Sequence, residues 1–373
     1  MSLVIAVLCD LVEVPVTRKA LESKYAGPVW RFPGGNGAPL WSREGIVAAR
    51  GARGTEFDTC CLEPDGSVRW VYERARPLAV GAEGVVVLSL RKRGLRVARL
   101  EWQRGALLSE VPIPFWPDSV SEKCETAVGT IGTDLAAWTP AGRGAIEWSA
   151  PLREPTGKTD AVVSGKSVLL RSGSHISRLN RNSGREHWVT ALAPLKAIRN
   201  EPIAGLAVLG GILVLVAARV TTAVGIRSGR IAWRRPVAGP FGASGPHVIV
   251  LSSSGTLSTL DTTDGECVDR IALPSLLGVS VDGLLAGNAR LAVTRSLVVV
   301  CSADGRMWAL RRPRHEVVWR GRVPGEGLLG AKPVVTEGRL YVGSFSLRKV
   351  FERQRQPTSL YCFDLQGSSA PVA

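Results

Sequence analysis

Apolar residues along this chain fall in short runs separated by turns rich in Gly, and this pattern predicts β-strands joined by tight hairpins. The pattern is clearest between residues 160 and 190, where it predicts four strands, at 160–164, 167–171, 175–180 and 185–190. Four short strands in succession form an antiparallel meander. Residues 17–25 are the one longer stretch whose pattern favours an amphipathic helix.

The second strand of most units is a continuous apolar run, whereas the third strand alternates between apolar and polar positions. Strands that are covered on both faces lose the polar alternation, so we expect the second strand to lie between two neighbouring sheets. The runs that show this are residues 85–88, 168–170, 212–216, 248–251, 297–300 and 340–342.

A short phrase, in which a turn Gly is followed four positions later by Trp, recurs at intervals of about 40 residues. A fixed period of this length indicates a repeat architecture, because each unit needs its neighbours to bury its faces. A version without Gly, RHEVVW, ends at Trp319, and two weak units end near Val111 and Ile271. The complete phrases end at Trp70, Trp148, Trp188 and Trp233.

The repeats predict an all-β, eight-bladed β-propeller of four-stranded antiparallel blades. Three strands after Trp319, at residues 333–336, 340–344 and 359–365, lack a fourth, and residues 28–32 around Trp30 are in phase to supply it. An N-terminal strand that completes the C-terminal sheet closes the ring and removes exposed edges. Seven blades is the alternative. We predict an extension over residues 1–27, one propeller domain over 28–367 and a tail over 368–373.

The unit resembles the pyrroloquinoline-quinone-type (PQQ-like) propeller repeat, with an alternating strand, a turn of the Ser-Gly-Arg type and then Trp. The tail LYVGS at 340–344 followed by SLYCFD at 359–364 is the most typical copy. The resemblance covers roughly residues 28–367 and implies that each blade Trp packs against the neighbouring blade. The structural Trp residues are then Trp30, Trp70, Trp148, Trp188, Trp233 and Trp319.

Charge and cysteine content give a first view of the cell compartment. The net charge is +15 and the pI is about 10.1, but the Arg residues are scattered over many turns rather than concentrated in one tract. Seven Cys residues are present, an odd number in no zinc-like spacing, which favours reduced, packed thiols in a cytoplasmic protein. Residues 203–218 are 16 uncharged residues, but two adjacent glycines, Gly210 and Gly211, predict two buried strands rather than a membrane span.

Some members of the PQQ-like family are quinoprotein dehydrogenases that use a calcium-bound quinone, and some of these carry adjacent cysteines beneath the cofactor. Cys60 and Cys61 invite that comparison. Successive residues of a strand face opposite sides, so we expect one thiol in each neighbouring interface rather than a cofactor platform. No cluster of acidic residues is predicted to hold calcium, and the four His residues lack ligand-like spacing, so we predict no catalytic residue, no metal and no cofactor.

Two basic segments interrupt the otherwise tight turns and are the candidate partner-binding residues. The loop SLRKVFERQRQP at 346–357 carries Arg348, Lys349, Phe351, Arg353 and Arg355, and the turn before Trp319 carries Arg311, Arg312 and Arg314. If both segments lie on one rim, they form a cationic patch for an acidic protein segment or a nucleic-acid backbone.

These features favour a non-enzymatic interaction scaffold that binds protein partners of unknown identity and no membrane. The resemblance extends to intracellular propellers that are components of ATPase-associated adaptor systems. A shortened quinoprotein dehydrogenase is one alternative. A binder of nucleic acid or another polyanion through the basic segments is the other.

Overall fold

The computed structural model describes residues 26, 28–33, 35–42, 44–51, 57–81, 84–91, 94–113, 115, 117, 119–120, 126–139, 145–154, 159–192, 205–217, 220–280, 289–302, 304–324, 327–329, 333–346 and 359–366. The helix predicted over residues 17–25 lies outside them. Within these ranges no helix has the length and apolar character needed to cross a membrane.

Eight antiparallel sheets form a ring, and seven of them have four strands in chain order. Blade 1 contains β2 (Gly35–Ser42), β3 (Gly45–Gly51), β4 (Phe57–Leu62) and β5 (Val68–Tyr72). Blade 2 contains β6 (Ala75–Gly81), β7 (Gly84–Arg91), β8 (Gly94–Leu100) and β9 (Leu107–Pro112). Blade 3 contains β10 (Ser119–Val120), β11 (Ala127–Ile131), β12 (Asp134–Trp138) and β13 (Ile146–Pro151). Blade 4 contains β14 (Thr159–Ser164), β15 (Ser167–Ser172), β16 (His175–Asn180) and β17 (Glu186–Ala191).

The second half of the chain continues the pattern. Blade 5 contains β18 (Gly205–Leu209), β19 (Ile212–Val216), β20 (Thr221–Gly225) and β21 (Ile231–Arg235). Blade 6 contains β22 (Phe241–Ser244), β23 (His247–Leu251), β24 (Thr256–Asp261) and β25 (Cys267–Ala272), followed by the short helix α1 (Leu273–Leu277). Blade 7 contains β26 (Arg290–Val293), β27 (Leu297–Cys301), β28 (Arg306–Arg311) and β29 (Glu316–Arg322). Blade 8 contains β30 (Gly327–Leu329), β31 (Val334–Thr336), β32 (Arg339–Ser346), β33 (Ser359–Asp364) and the N-terminal β1 (Trp30–Pro33). In this eighth sheet β30 and β31 share the innermost position beside β32, and β1 lies outermost beside β33.

The core consists of eight clusters of buried residues, and each cluster fills the interface between two neighbouring blades. The first strands of successive blades lie next to one another around the centre of the ring. The second strands are buried on both faces, as their continuous apolar runs predict; β15, for example, has no exposed residue. The prediction of eight four-stranded blades is confirmed.

The N-terminal strand closes the ring, as predicted. β1 pairs antiparallel with β33, with Trp30 opposite Cys362 and Pro33 opposite Ser359. Just before it, the backbone N–H of Ala26 donates a hydrogen bond to the carbonyl of Arg320 in blade 7, at 2.8 Å. The two ends of the chain are therefore held together by blade 8, and Ala26 ties the start of that strand to its neighbour.

Residues 203–218 divide at the glycine pair, as predicted. β18 and β19 lie on either side of Gly210 and Gly211, which form the turn with φ values of 50° and 93°. In this left-handed region Gly carries no steric penalty. The segment is therefore a hairpin of blade 5.

Candidate partner-binding site

The Trp of each repeat packs on the Gly of the next repeat, not on the Gly of its own phrase. A Cβ atom on Gly229 would lie 2.7 Å from Cδ2 of Trp188, so only Gly fits beneath the indole. The indole N–H then donates to the carbonyl three residues before that Gly, at 2.8 Å from Ile226. The same pairing joins Trp30 to Gly66, Trp70 to Gly105, Trp148 to Gly184 and Trp233 to Gly265. Trp319 instead meets Phe363 edge to face at 5.7 Å, in the cluster against which Ala26 packs.

Blades 2 and 6 have no Trp at this position. After blade 6, the Gly of the following blade against which a Trp would pack is also replaced. The strand register places Ser109 of blade 2 and Asp269 of blade 6 at the Trp position. The turn of blade 7 that faces Asp269 carries His315 where the other turns carry Gly, with a φ of 54°. His315 Nδ1 lies 2.7 Å from Asp269 Oδ2, and the imidazole is 4% exposed. A polar contact between His315 and Asp269 therefore joins blades 6 and 7, where five other interfaces have an indole packed on a glycine.

We call the face of the ring that bears the turns between first and second strands, and between third and fourth strands, the front face. The opposite, back face bears the turns between second and third strands and the connections between blades. Arg311, Arg312 and Arg314 lie on the front face, at the end of β28 and in the turn that follows it.

The three arginines of this turn have different surroundings. The Arg312 guanidinium donates to the Thr294 carbonyl and contacts His247 Nδ1, each at 2.9 Å, and burial lowers its pKa. Since Arg cannot accept a hydrogen bond, His247 Nδ1 is the acceptor and carries no proton. Arg311 is exposed, and the described residues offer it no hydrogen bond or ion pair. Arg314 is 83% exposed and lies 4.0 Å from Glu316.

A cleft of about 770 Å³ opens beside this turn, between blades 7 and 8. Its floor and walls combine aliphatic, hydroxyl and cationic side chains from four turns and strand ends. The residues that line it are Thr294, Ser296, Leu297, Arg311, Arg312, Val318, Val335, Thr336, Glu337, Gly338, Leu365 and Gln366. A smaller cleft on the inner strands of blades 6 to 8 shares Thr294 and Val335 with it, so the two are continuous towards the centre of the ring.

The second basic segment, residues 346–357, is flanked by strand ends that do not line this cleft. Arg348, Lys349, Phe351, Arg353 and Arg355 lie outside the described residues. The described strands on either side of them are β32 and β33, the second and third strands of blade 8, and β32 ends and β33 begins at the back face. Leu365 and Gln366, at the other end of β33, line the front cleft with Arg311. The described strand ends next to the two basic segments therefore lie on opposite faces, and a patch formed by both segments stays a prediction.

The adjacent cysteines lie in different interfaces, as strand alternation predicts. Cys61 packs with Trp70 between blades 1 and 2, whereas Cys60 packs with Phe32 and Tyr341 between blades 8 and 1. Both are free thiols, and burial raises the pKa of each to about 11. A raised pKa leaves little reactive thiolate at neutral pH.

Blade 4 carries a polar network that the sequence did not reveal. Glu154 accepts a hydrogen bond from Ser174 and lies 2.8 Å from His175 Nδ1. The same three residue types form the Ser-His-acid triad of hydrolases. Here, however, the carboxylate is the partner of both the Ser174 hydroxyl and His175 Nδ1, and the hydroxyl does not point at Nε2 as a serine nucleophile requires. We therefore interpret this network as a clamp on the turn between β15 and β16. In the described part of the chain, no group of three or more His, Cys, Asp or Glu side chains is placed to hold a metal ion.

Eight antiparallel blades, joined at five interfaces by an indole on a glycine and closed by an N-terminal strand, define a β-propeller of the PQQ-like class. A family model described as outer membrane protein assembly factor BamB matches residues 85–244 and 173–269. The chain belongs to the PQQ-like β-propeller family.

Solved structures agree with the fold. BamB from Moraxella catarrhalis is 16% identical, with a TM-score of 0.60 over 90% of this chain and 99% of that one. The computationally designed Ika8 protein is 12% identical, with a TM-score of 0.62 over 91% of this chain and 100% of that one. The quinohemoprotein alcohol dehydrogenase ADHIIG from Pseudomonas putida HK5 is 11% identical, with a TM-score of 0.60 over 94% of this chain and 77% of that one. A comparison with curated protein sequences finds no match.

Proposed function

We propose that this propeller is a non-enzymatic interaction module that holds a protein partner on its front face at blades 7 and 8. The observation that carries the proposal is the cleft of about 770 Å³ with Arg311 and Arg312 in its wall. Loops and turns on a rigid scaffold commonly carry binding function. The name of the matching family model, an outer membrane protein assembly factor, supports a role in protein assembly. An adaptor role in an ATPase-associated system is a narrower hypothesis within the same proposal.

Two features support a role without catalysis. The described first strands, which surround the centre of the ring, carry a single carboxylate, Asp160, and its Oδ2 lies 3.5 Å from Arg171 Nη1. Cys60 and Cys61 are separated into two interfaces. A dye-linked oxidation assay with pyrroloquinoline quinone, Ca²⁺ and short alcohols is expected to show no turnover. Quinone-dependent turnover would contradict the non-enzymatic proposal and identify the protein as a dehydrogenase.

The direct test is affinity capture with the whole chain at physiological salt, followed by quantitative mass spectrometry. The designed Ika8 propeller is a matched control because it has the same fold without this protein's surface. We expect at least one protein to be enriched over the control and to bind the purified chain in isothermal titration. If no protein is enriched over Ika8, the interaction proposal is wrong.

A further inference from the structure

We propose that the cleft between blades 7 and 8 binds a short, extended segment of a partner protein that carries an acidic side chain next to an aliphatic one. This inference rests on the proposed function and adds the chemistry that the partner segment must have. Charge, wall composition and size each contribute to the argument.

The charge argument begins with Arg312, which is half-buried and has only neutral acceptors around it. The Thr294 carbonyl and His247 Nδ1 satisfy part of its guanidinium, but no carboxylate of the described chain lies within ion-pair distance. A partly desolvated cation is stabilised by an anionic partner. Arg311, beside it, is also unpaired among the described residues. Among the described residues of the lining, Glu337 is the one acidic side chain against Arg311 and Arg312, so their summed charge is positive.

Arg312 is held in place before any ligand arrives. Its backbone N–H donates to the Ser296 carbonyl at 2.8 Å, while its side chain is fixed by Thr294 and His247. A guanidinium that is already oriented loses less conformational entropy on binding a carboxylate. The 2.7 Å contact between His315 Nδ1 and Asp269 Oδ2 anchors the other end of the same turn to blade 6. The turn is therefore fixed on the blade 6 side and presents Arg311 towards blade 8.

The walls of the cleft suit a peptide with an apolar side chain. Leu297, Val318, Val335 and Leu365 supply aliphatic surface, while Thr294, Ser296 and Thr336 supply hydroxyl groups. The hydroxyl groups can donate to or accept from a peptide backbone. None of the described residues that line the cleft is aromatic. Single-stranded nucleic acids are typically held by aromatic stacking along a basic groove, so these walls favour a peptide over a nucleic acid.

The size of the cleft sets the length of the segment. Its volume of about 770 Å³ falls in the range of roughly 300–1,000 Å³ that is typical of sites for small ligands. Such a space accommodates a few residues rather than a folded surface. The ligand is therefore a linear motif with an aliphatic residue in the pocket and a carboxylate at Arg311 and Arg312.

The test uses phage-displayed random dodecapeptides selected on the whole immobilised chain. We expect the selected peptides to be enriched in Asp or Glu next to Leu, Ile or Val. Their affinities, measured by fluorescence anisotropy, are expected to fall at least tenfold with Arg311→Glu and with Ser296→Trp, which fills the cleft. Both positions are exposed, so folding is expected to survive. Arg314→Glu is the matched control because it makes the same charge change in the same turn outside the lining, and its effect is expected to be less than threefold.

Peptides without acidic enrichment, or an equal loss of affinity with Arg314→Glu, would overturn the inference. Fluorescein-labelled oligo(dT) is tested in the same assay. If it binds the natural chain and this binding is lost with Arg311→Glu and with Ser296→Trp, the ligand of the cleft is a nucleic acid and not a peptide. The test separates the inference from the proposed function. A captured protein that binds both cleft variants at full affinity contradicts the inference and leaves the scaffold intact. Selected acidic peptides with no captured protein contradict the scaffold alone.

Discussion

The interface between blades 6 and 7 should accept the indole and glycine that join the other blades, provided that both residues are changed together. Asp269→Trp places an indole over the blade 7 turn, and His315→Gly removes the imidazole that occupies that position. The five native pairs show that the indole ring needs a Gly directly beneath it. The single substitutions should therefore be unfavourable and the double substitution favourable.

The expected magnitudes follow from the contacts. His315→Gly loses the buried imidazole and its 2.7 Å contact with Asp269. It also relieves a φ of 54°, and that relief is worth about 1–2 kcal/mol. We expect a net loss of about 1 kcal/mol, since Asp269 is 42% exposed and ion pairs with an exposed member contribute little. Asp269→Trp alone forces the indole against His315, at a cost of about 1–3 kcal/mol.

The double variant gains what the native interfaces have. Burial of an aromatic side chain contributes about 1.5–3 kcal/mol, and an indole hydrogen bond to the Arg312 carbonyl adds about 0.5–1.5 kcal/mol. The double variant should equal or exceed the natural protein in stability. The coupling free energy between the two sites should therefore reach at least about 2 kcal/mol.

Urea unfolding followed by far-ultraviolet circular dichroism measures this coupling, with the midpoint and slope compared among the four proteins. The reciprocal exchange in the interface between blades 5 and 6, Trp233→Asp with Gly265→His, is the matched control. There each single substitution should be strongly destabilising, with Trp233→Asp costing about 3–5 kcal/mol. If the Asp269→Trp and His315→Gly effects simply add, the equivalence of the two kinds of interface is wrong.

Three further predictions concern individual elements. Gly229→Ala should lower the free energy of unfolding by about 2–4 kcal/mol, since its Cβ would lie 2.7 Å from Trp188. Gly210→Ala, also at positive φ but in open space, should lower it by about 1 kcal/mol. Equal shifts in the urea midpoint would refute the packing argument. Iodoacetamide at pH 7.5 should label exposed Cys267 long before Cys60 and Cys61, whose pKa values are about 11 because of burial; equal rates by peptide mass spectrometry would contradict this. Arg31→Cys with Tyr361→Cys, directly opposite in the closing strands, should form a disulfide on mild oxidation, whereas Arg31→Cys with Leu360→Cys, one residue out of register, should not.

Much of the fold can be predicted from the sequence because its period is long and its turns are chemically explicit. The phase of Trp30 relative to Trp70 was enough to predict which strand closes blade 8. The alternation of residues along β4 was enough to place Cys60 and Cys61 in different interfaces. Both inferences depend on local geometry that the affected strands share with the other blades.

The exchanged pair at blades 6 and 7 carried a readable signal that the repeat alone does not interpret. His315 stands four residues before Trp319, in the place of the phrase's Gly, and Asp269 stands four residues after Gly265, in the place of its Trp. Only the structure shows that a Trp packs on the Gly of the following unit, as five of them do. The two exceptions to the repeat, Asp269 and His315, therefore lie in the same interface and contact each other.

The candidate site was only partly predictable. Arg311, Arg312 and Arg314 were identified from their charge, but the cleft joins them to turns of two blades that no local pattern relates. Strand direction alone places the end of β28, at Arg311, on the front face and the end of β32, at Ser346, on the back face.

The central claim is that a protein partner occupies the front face at blades 7 and 8, and site-specific photocrosslinking tests it most directly. Benzoylphenylalanine is placed at Ser296 in the cleft and, in a second variant, at Thr133, an exposed residue in a back-face turn of blade 3. After capture of the partner and irradiation, we expect a covalent adduct from Ser296, lost with Arg311→Glu, and none from Thr133. An adduct from Thr133 with none from Ser296 would contradict the account.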